Sequence, residues 1–279
     1  MWQLIRIELF KIFKKPRTYI AFGAIAAIVL LIQLAMYVDG SQYLEFMMQS
    51  FGNTFEIGGK VLNGYFVCFI VLQTLLVHVP LLIALVAGDM VAGEANMGTL
   101  RLLITKPVSR TKLLLAKFIS ASVYTLMLLG FMAVLALFGS LAIFGTGDLM
   151  VMKSDVVLIL DSNDIMWRYF AALGFAALAM LTVAALAFLF SIFAENAIGP
   201  IMGAMSVVVV FTILTSMDIP LFVAMKPYLF TNHMLNWKGF FERPVDKAEV
   251  LKSASVLLFH IVVFVSLGIG VFNRKDVLS

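Results

Sequence analysis

Few side chains in this sequence are of the kinds that perform chemistry, and they are scattered along the chain. His78 and His260 each lie inside a long apolar stretch, and Cys68 is the single cysteine, so no intrachain disulfide or thiolate metal site can form. The segment 58–60, Gly-Gly-Lys, lacks the spacing and the hydroxyl residue of a phosphate-binding loop. No metal-ligand pair stands at helical spacing, and no serine occupies a nucleophile elbow. We therefore predict that the chain is not an enzyme and has no catalytic residue, metal site or cofactor of its own.

The histidines and methionines inside the apolar stretches could serve a function, but each also has a structural explanation. An ionisable residue within a membrane is a functional candidate by default, but we interpret His78 and His260 as neutral histidines hydrogen-bonded to a neighbouring helix. The 17 methionines suggest Cu(I) binding through soft thioethers. Methionine is also a common filler of apolar helices, and the methionines here show no tight repeated spacing. We interpret both groups as packing residues.

The composition indicates a protein whose solvent is lipid. Of the 279 residues, 62% are hydrophobic and only 13% are charged, with a mean hydropathy of +1.04. A soluble domain carries charge on about a quarter of its residues. A transmembrane β-barrel would need alternating segments of about ten residues, whereas the apolar runs here are longer and uninterrupted. We expect an all-α polytopic membrane protein forming a single transmembrane domain over residues 1–279.

Six segments are long enough to cross a hydrocarbon core, which takes about 20 helical residues. They are predicted near residues 18–38, 61–87, 112–144, 169–193, 199–217 and 254–272. Residues 1–17 place apolar side chains at helical spacing with basic ones largely opposite. That pattern is typical of an amphipathic helix lying in the membrane interface, or of a plain basic anchor.

The last outer connection, residues 218–253, has a mixed character. Its first half is apolar but is interrupted by Pro220 and Pro227, so we expect it to be partly re-entrant. Asp246 and Glu249 have the spacing of a capping box, which predicts that a helix begins there and continues into the last span.

The distribution of basic residues predicts the orientation. With both termini cytoplasmic, the inner side holds 12 of the 20 Lys and Arg residues against five acids, a net charge of +7. The outer side then carries 8 basic and 11 acidic residues, a net charge of −3. We therefore predict a multi-pass protein of a bacterial inner (plasma) membrane with both termini in the cytoplasm.

The most distinctive segment, residues 93–110, falls on the cytoplasmic side after the second span. Glu94 near the start of a helical turn complements the helix dipole. Apolar residues then recur at helical spacing until Pro107, which cannot continue a helix. Ser109 is placed to cap the long third helix. We expect a short helix parallel to the membrane that turns tightly into the third span, a geometry that can transmit force from a soluble partner.

This segment resembles the signature of ABC-2 type transporter permeases, in which a Glu is followed by Gly-Thr-Leu, several apolar residues and then Pro-(Val/Leu)-(Ser/Thr)-Arg. The six-span layout, the basic N-terminal helix and the long last outer loop are also similar, and the chain looks most like the permeases grouped with sodium, bacitracin and copper-maturation exporters. Many relatives carry a second acid beside the Glu, whereas Gly93 and Ala95 flank Glu94 here. The matching positions are Glu94, Gly98, Thr99, Leu100, Pro107, Val108, Ser109 and Arg110, with Lys117 beyond.

The resemblance implies that the chain is the permease subunit of an ATP-driven exporter. It implies that residues 93–110 form a coupling helix docked in a separate cytoplasmic ABC ATPase, which would hold ATP and Mg, and that two permease chains, identical or homologous, form the substrate path. Glu195 is a further candidate because the second cytoplasmic loop, residues 194–198, exposes little else. The expected partners are thus the ATPase, a second permease and the lipid bilayer, with no nucleic acid. The expected ATPase-coupling residues are Glu94, Gly98, Thr99, Leu100, Arg101, Pro107, Ser109, Arg110 and Glu195.

Two other functions fit a polytopic membrane protein. A gradient-driven secondary transporter or channel would favour charged or broken helices near the midplane. The predicted spans are nearly devoid of acids, which argues against ion coupling. A non-transporting assembly factor that anchors partners in the membrane is the other alternative.

Overall fold

The computed structural model describes residues 1–49, 61–100, 107–153 and 156–275. Within these ranges, six helices are long and apolar enough to span a membrane, in agreement with the predicted number. They are Pro16–Met47, Gly64–Asn96, Arg110–Phe144, Ser162–Phe193, Ile198–Ser216 and Lys247–Arg274.

The elements follow each other in an order that places both ends of the chain at one end of the bundle. In chain order, the elements up to the fifth span are α1 Trp2–Lys14, α2 Pro16–Gln49, α3 Gly64–Ala87, α4 Asp89–Asn96, α5 Arg110–Ala133, a π-helical segment Val134–Gly139, α6 Ser140–Phe144, strands β1 Leu149–Lys153 and β2 Val156–Leu160, α7 Ser162–Phe193 and α8 Ile198–Ser216. Then come α9 Pro220–Met225, a 3-10 turn Lys226–Tyr228, α10 Phe230–Met234, a 3-10 helix Leu235–Phe241 and α11 Lys247–Arg274.

The two ends of the bundle are named by what they hold. The terminal end holds α1, α4, the start of α5 and the C-terminal ends of α7 and α11. Arg110 Nη1 there donates to the carbonyl of Lys275 at 2.9 Å, and Lys275 Nζ donates to the carbonyl of Ile192 at 2.9 Å. The opposite, far end holds the β-hairpin and the short helices between α8 and α11.

Helix α7 forms the centre of the bundle. Of its most apolar window, 78% of the residues are buried, against 17% for each of α8 and α11. Alanines recur along α7, so neighbouring backbones can approach it closely, and Ala176, Ala179, Ala184 and Ala187 are at most 1% exposed. Helices α8 and α11 therefore turn most of their apolar surface outward, towards lipid or another protein.

Local signals determine several helix ends as the sequence predicts. The Ser109 hydroxyl accepts from the Lys112 amide at 3.3 Å, which caps α5. The Asp246 carboxylate accepts from the amides of Ala248 and Glu249, so α11 begins at Lys247 as expected. Asn63 caps α3 in the same way, with its side-chain oxygen accepting from Tyr65 and Phe66.

Other boundaries differ from the prediction. Helix α2 continues to Gln49, well beyond the predicted end near residue 38, because residues 39–49 contain no proline that would end it. The third span contains the π-helical segment Val134–Gly139, in which the backbone ladder is interrupted. Gln33 of α2 is 3% exposed and donates to the Leu135 carbonyl at 3.0 Å, so a buried side chain hydrogen-bonds at this irregular turn.

The far end contains the one sheet of the described chain, an antiparallel hairpin that the all-α prediction does not include. Strands β1 and β2 pair from Leu149 opposite Leu160 to Lys153 opposite Val156. Arg168, 5% exposed, donates to the carbonyls of Phe240 at 2.7 Å and Glu242 at 2.9 Å, which ties the short helices to α7.

The segment predicted to be partly re-entrant folds into short helical turns rather than one apolar helix. Its prolines begin these turns, since Pro220 is the first residue of α9 and Pro227 lies in the 3-10 turn that follows. Phe230, Trp237 and Phe241 are almost fully buried and pack in tilted or edge contacts with aromatic rings of the long helices.

Candidate functional site

The candidate site begins with the docking of α1 against α5. Ile5 and Ile12 on one face of α1 are 8% and 4% exposed, and Glu8 lies between them on the same face. The Ser120 hydroxyl of α5 lies 3.2 Å from the Ile5 carbonyl oxygen and 2.8 Å from the Ala116 carbonyl oxygen of its own helix. The opposite face of α1 exposes Trp2 and Phe10. The predicted amphipathic helix is therefore present, and its inward face carries an acid as well as apolar side chains.

Two carboxylates and two ammonium groups form a closed set of ion pairs beneath α1. Lys117 Nζ lies 2.8 Å from Glu8 Oε2 and 2.7 Å from Glu94 Oε2. Lys11 Nζ lies 2.7 Å from Glu8 Oε1 and 2.8 Å from Glu94 Oε1. Each carboxylate is thus shared between the same two cations, and each cation joins α1 or α5 to the segment after the second span.

A second set of ion pairs adjoins the first. Asp89, the first residue of α4, is 5% exposed and accepts from Lys15 Nζ at 2.6 Å. The Arg17 guanidinium also contacts Asp89. Gly93 leaves the space that the Asp89 carboxylate needs, because a Cβ built at Gly93 would lie 2.3 Å from Asp89 Oδ1. We refer to Glu8, Lys11, Lys15, Arg17, Asp89, Glu94 and Lys117 as the charge cluster.

Helix α4 is oriented by a break at Gly88 and by a polar contact from α7. A Cβ at Gly88 would lie 2.7 Å from the Ala84 carbonyl and 3.2 Å from Pro200, so the residue allows close approach of α8. The Ser191 hydroxyl accepts from the amides of Val91 and Ala92, both at 2.9 Å. These two amides lie in the first turn of α4 and have no helical acceptor of their own. Glu94 consequently faces α1 and α5.

The electrostatics of the cluster favour the charged forms of Glu8 and Lys11, whereas burial and the neighbouring Arg17 lower the pKa of Lys15 to about 8. Burial raises the pKa of Glu8, but the ammonium groups of Lys117 and Lys11 outweigh it and hold that pKa below its usual value. Burial lowers the pKa of Lys11, and its hydrogen bonds to Glu8 and Glu94 more than reverse this. The cluster adjoins a cavity of about 20 Å³, which has room for a single water molecule.

These contacts make the cluster a junction between three helical segments. Its charges are paired with one another, and it joins α1, the α3–α4 segment and α5 through side chains that are 83 and 109 residues apart in the chain. Among the described residues, no group of three or more His, Cys, Asp or Glu side chains could hold a metal ion. A displacement of α4 would therefore be transmitted to α1 and α5, because separating these buried charges is costly.

Comparison with known proteins identifies the family of this chain. The family described as a protein of unknown function, DUF2705, matches residues 24–278. The chain belongs to this family. A similar protein is "Uncharacterized protein YhcI" of Bacillus subtilis (strain 168), which is 26% identical over 204 residues. That alignment covers 69% of this chain, and the chain spans 63% of the relative's length.

In this DUF2705 member, the predicted coupling residues separate into a buried and an exposed group. Glu94 and Leu100 are each 6% exposed, whereas Gly98 and Thr99 are exposed at the turn after α4, where Gly98 has a φ of +68°. The left-handed conformation favours glycine at that position. Arg101 lies outside the described residues.

The remaining predicted residues lie at the terminal end in different surroundings. Pro107 and Ser109 are exposed before α5, and Glu195 is exposed in the short loop between α7 and α8. Arg110 is half-buried and donates to the carbonyls of Phe272 at 3.3 Å, Asn273 at 3.4 Å and Lys275 at 2.9 Å. It therefore links the start of α5 to the end of α11.

Sequence reasoning missed most of the charge cluster. Among these residues is Asp89, whose observed partners are Lys15 and Arg17, far from it in the chain. The available signal was Glu8, an acid in a strongly basic segment, three residues before Lys11 and on the same face as buried Ile5 and Ile12. Such a placement indicates a buried cation from elsewhere in the chain.

The histidine prediction was wrong about the partner. His78 Nδ1 lies 2.7 Å from the Thr74 carbonyl, and His260 Nδ1 lies 2.8 Å from the Val256 carbonyl. Both contacts are to the preceding turn of the same helix rather than to a neighbour.

Proposed function

We propose that this chain is the permease subunit of an ATP-driven exporter, coupled to a separate cytoplasmic ABC ATPase through residues 93–110. The observation that carries the proposal is the connection from Glu94 to Lys11 and Lys117. The segment with the permease-like sequence is bonded to two other helices, by a buried ion pair with Lys117 and a half-buried one with Lys11, so a force on this segment would move them together.

The exposed part of the same segment offers a surface to a soluble partner. Met97 is 59% exposed, and Gly98 and Thr99 follow it at the turn. Thr99 donates its hydroxyl hydrogen to the Glu94 carbonyl at 3.3 Å. In the proposed mechanism Met97 to Thr99 contact the ATPase, and Glu94 acts as a positioning residue that transmits the displacement. Glu195 adds an exposed carboxylate at the same end.

The orientation and assembly belong to the same proposal. The terminal end faces the cytoplasm of a bacterial inner membrane, because the excess of Lys and Arg lies there. A second permease chain, identical or homologous, completes the transporter. Helices α8 and α11 leave most of their apolar surface uncovered within one chain, which leaves room for such a partner beside lipid.

The decisive experiment is a pull-down of the solubilised protein from its native membrane, followed by mass spectrometry. An ATPase with a phosphate-binding loop is expected to co-purify, and Met97→Asp is expected to remove it because a charge is placed on the docking surface. Tyr228→Asp is the matched control, since Tyr228 is also exposed, at 77%, but lies at the far end.

The possible results separate the parts of the proposal. If no ATPase accompanies the wild-type chain, the exporter function is wrong and a gradient-driven transporter becomes the leading alternative. If the ATPase binds Met97→Asp and the wild type equally, the docking surface lies elsewhere.

A further inference from the structure

A cavity of about 530 Å³ opens between α3, α7, α8 and the short helices of the far end. Its size lies within the range of about 300–1,000 Å³ that is usual for small-molecule sites. It is separate from the charge cluster, which lies at the terminal end. Its walls are mainly aliphatic, with a small number of polar groups.

One polar group of the cavity lies deep along α3. Gln73 is nine residues into a helix that begins at Gly64, about 14 Å from its far end at 1.5 Å per residue. The Gln73 side chain is exposed in this single chain and makes no hydrogen bond to any described residue. Pro80 also lines the cavity, and because it has no N–H, the carbonyl of Leu76 lacks its helical donor.

A second polar group is almost completely buried in the cavity wall. Thr231 is 4% exposed, and its hydroxyl has no hydrogen-bond partner among the described residues. Burying a hydroxyl without a partner is unfavourable, so a ligand that supplies a hydrogen-bond partner for Thr231 would remove this cost and bind more tightly.

One cationic residue, Lys238, lines the cavity. Lys238 lies on the 3-10 helix of the far end, with Nζ 5.9 Å from the ring centroid of Trp237. Within the described part of the chain, no carboxylate lies within ion-pair distance of Lys238. The cavity therefore combines an apolar body, polar groups along its wall and one cation, Lys238, that has no ion-pair partner among the described residues.

We propose that this cavity binds a single-chain amphiphile with an anionic headgroup. The headgroup is held by Lys238, the ester carbonyl next to it accepts from the Thr231 hydroxyl, and the acyl chain fills the aliphatic part of the cavity between α3, α7 and α8. Binding at this site does not depend on the ATPase. Only its interpretation as the substrate site rests on the proposed exporter function.

The test uses Trp237 as a local reporter. A Trp2→Phe, Trp167→Phe variant retains Trp237 as its single tryptophan, and both replaced residues are exposed and outside the cavity. The variant is placed in phosphatidylcholine nanodiscs and titrated with chain-brominated lysophosphatidylglycerol, which is anionic, or with lysophosphatidylcholine carrying the same brominated chain. Bromine quenches tryptophan fluorescence only at short range.

Saturable quenching by the anionic probe is expected, with a midpoint roughly tenfold lower than that of the zwitterionic probe. Lys238→Gln is expected to remove this difference, and Lys252→Gln, an exposed cation at the same end, to preserve it. Val209→Phe adds bulk at a half-exposed position of the wall and is expected to weaken both probes.

Quenching that rises without saturation and equally for both probes would overturn the proposal, because it would indicate ordinary contact with surrounding lipid. Saturation that is unchanged by Lys238→Gln would overturn the headgroup assignment. The pull-down of an ATPase is independent of this titration, so failure of one is distinguishable from failure of the other.

Discussion

Lys117 and Glu94 form a buried ion pair that joins the third membrane span to the segment after the second. Lys117 Nζ lies 2.7 Å from Glu94 Oε2, and the two side chains are 1% and 7% exposed. A buried ion pair is weak evidence for stability, because apolar residues of the same volume can do as well. Its specific effect is on geometry, since the charges tolerate few alternative positions of the helices.

Replacing Lys117 with Met should strongly destabilise the protein. The change leaves Glu8 and Glu94 buried with only Lys11 as a cation, and breaking a buried pair from one side costs about 3–5 kcal/mol of unfolding free energy. Denaturant unfolding in detergent micelles measures the loss. Lys112→Met, an exposed lysine of the same helix, is the control and should change little. Equal stability of both variants would mean that the cluster does not hold α5 in place.

Acid should weaken the docking of α1 through Glu8. Its pKa in the folded protein is held below the ordinary value of 4.5, so the charged carboxylate contributes stability above that pH and loses it as the pH falls through the folded pKa. The stability of the wild type should therefore fall more steeply below about pH 4.5 than that of Glu8→Gln. Thermal unfolding across this range provides the comparison.

The exposed Glu45 supplies the control for this pH experiment. Glu45→Gln should follow the wild-type curve, because Glu45 lies away from the charge cluster. Parallel curves for the wild type and Glu8→Gln would contradict the assigned role of Glu8.

Gly93→Ala should disturb the Asp89 ion pairs. The added Cβ would overlap the Asp89 carboxylate, so this carboxylate must shift from its position beside Lys15. Overpacking of this kind costs about 1–3 kcal/mol. The same change at Gly130, where no atom lies within 4 Å of the added Cβ, should be neutral or stabilising by up to about 1 kcal/mol.

The mechanism of this effect can be checked with a second substitution. Because Gly93→Ala already displaces the carboxylate, Asp89→Asn should cost less in the Gly93→Ala background than in the wild type. Additive losses would show that the two residues act independently.

Arg168→Met should release the short helices at the far end. The change removes the hydrogen bonds to the carbonyls of Phe240 and Glu242, and bonds of this charged type contribute about 1.5–3 kcal/mol each. Limited trypsin digestion should then cut faster after Lys238. Lys252→Met, a loss of an exposed cation at the same end, should leave the cleavage rate unchanged. An unaltered rate in Arg168→Met would show that other contacts hold this segment.

Features that depend on neighbouring residues were readable from the sequence. The six spans follow from hydrophobic length, and the caps at Ser109 and Asp246 follow from a side chain two or three residues from the amides it accepts. The place of residues 93–110 between the second and third spans was predicted from the same local signals, namely apolar length, Pro107 and the Ser109 cap. By contrast, the π-helical turn bound by Gln33 and the β-hairpin have signals too short or too distant to be distinguished from ordinary helix and loop.

The sequence by itself determined a polytopic helical membrane protein with a distinctive connection after the second span, because apolar length, caps and prolines act over a few residues. Only the tertiary structure decided that Glu94 is buried between Lys11 and Lys117, which are separated from it by 83 and 23 positions. Ion pairing inside a helical bundle depends on which helices are neighbours and on whether their charged residues lie at the same level along the bundle axis. That arrangement results from the packing of α1, α4 and α5 as a whole, and no local pattern specifies it.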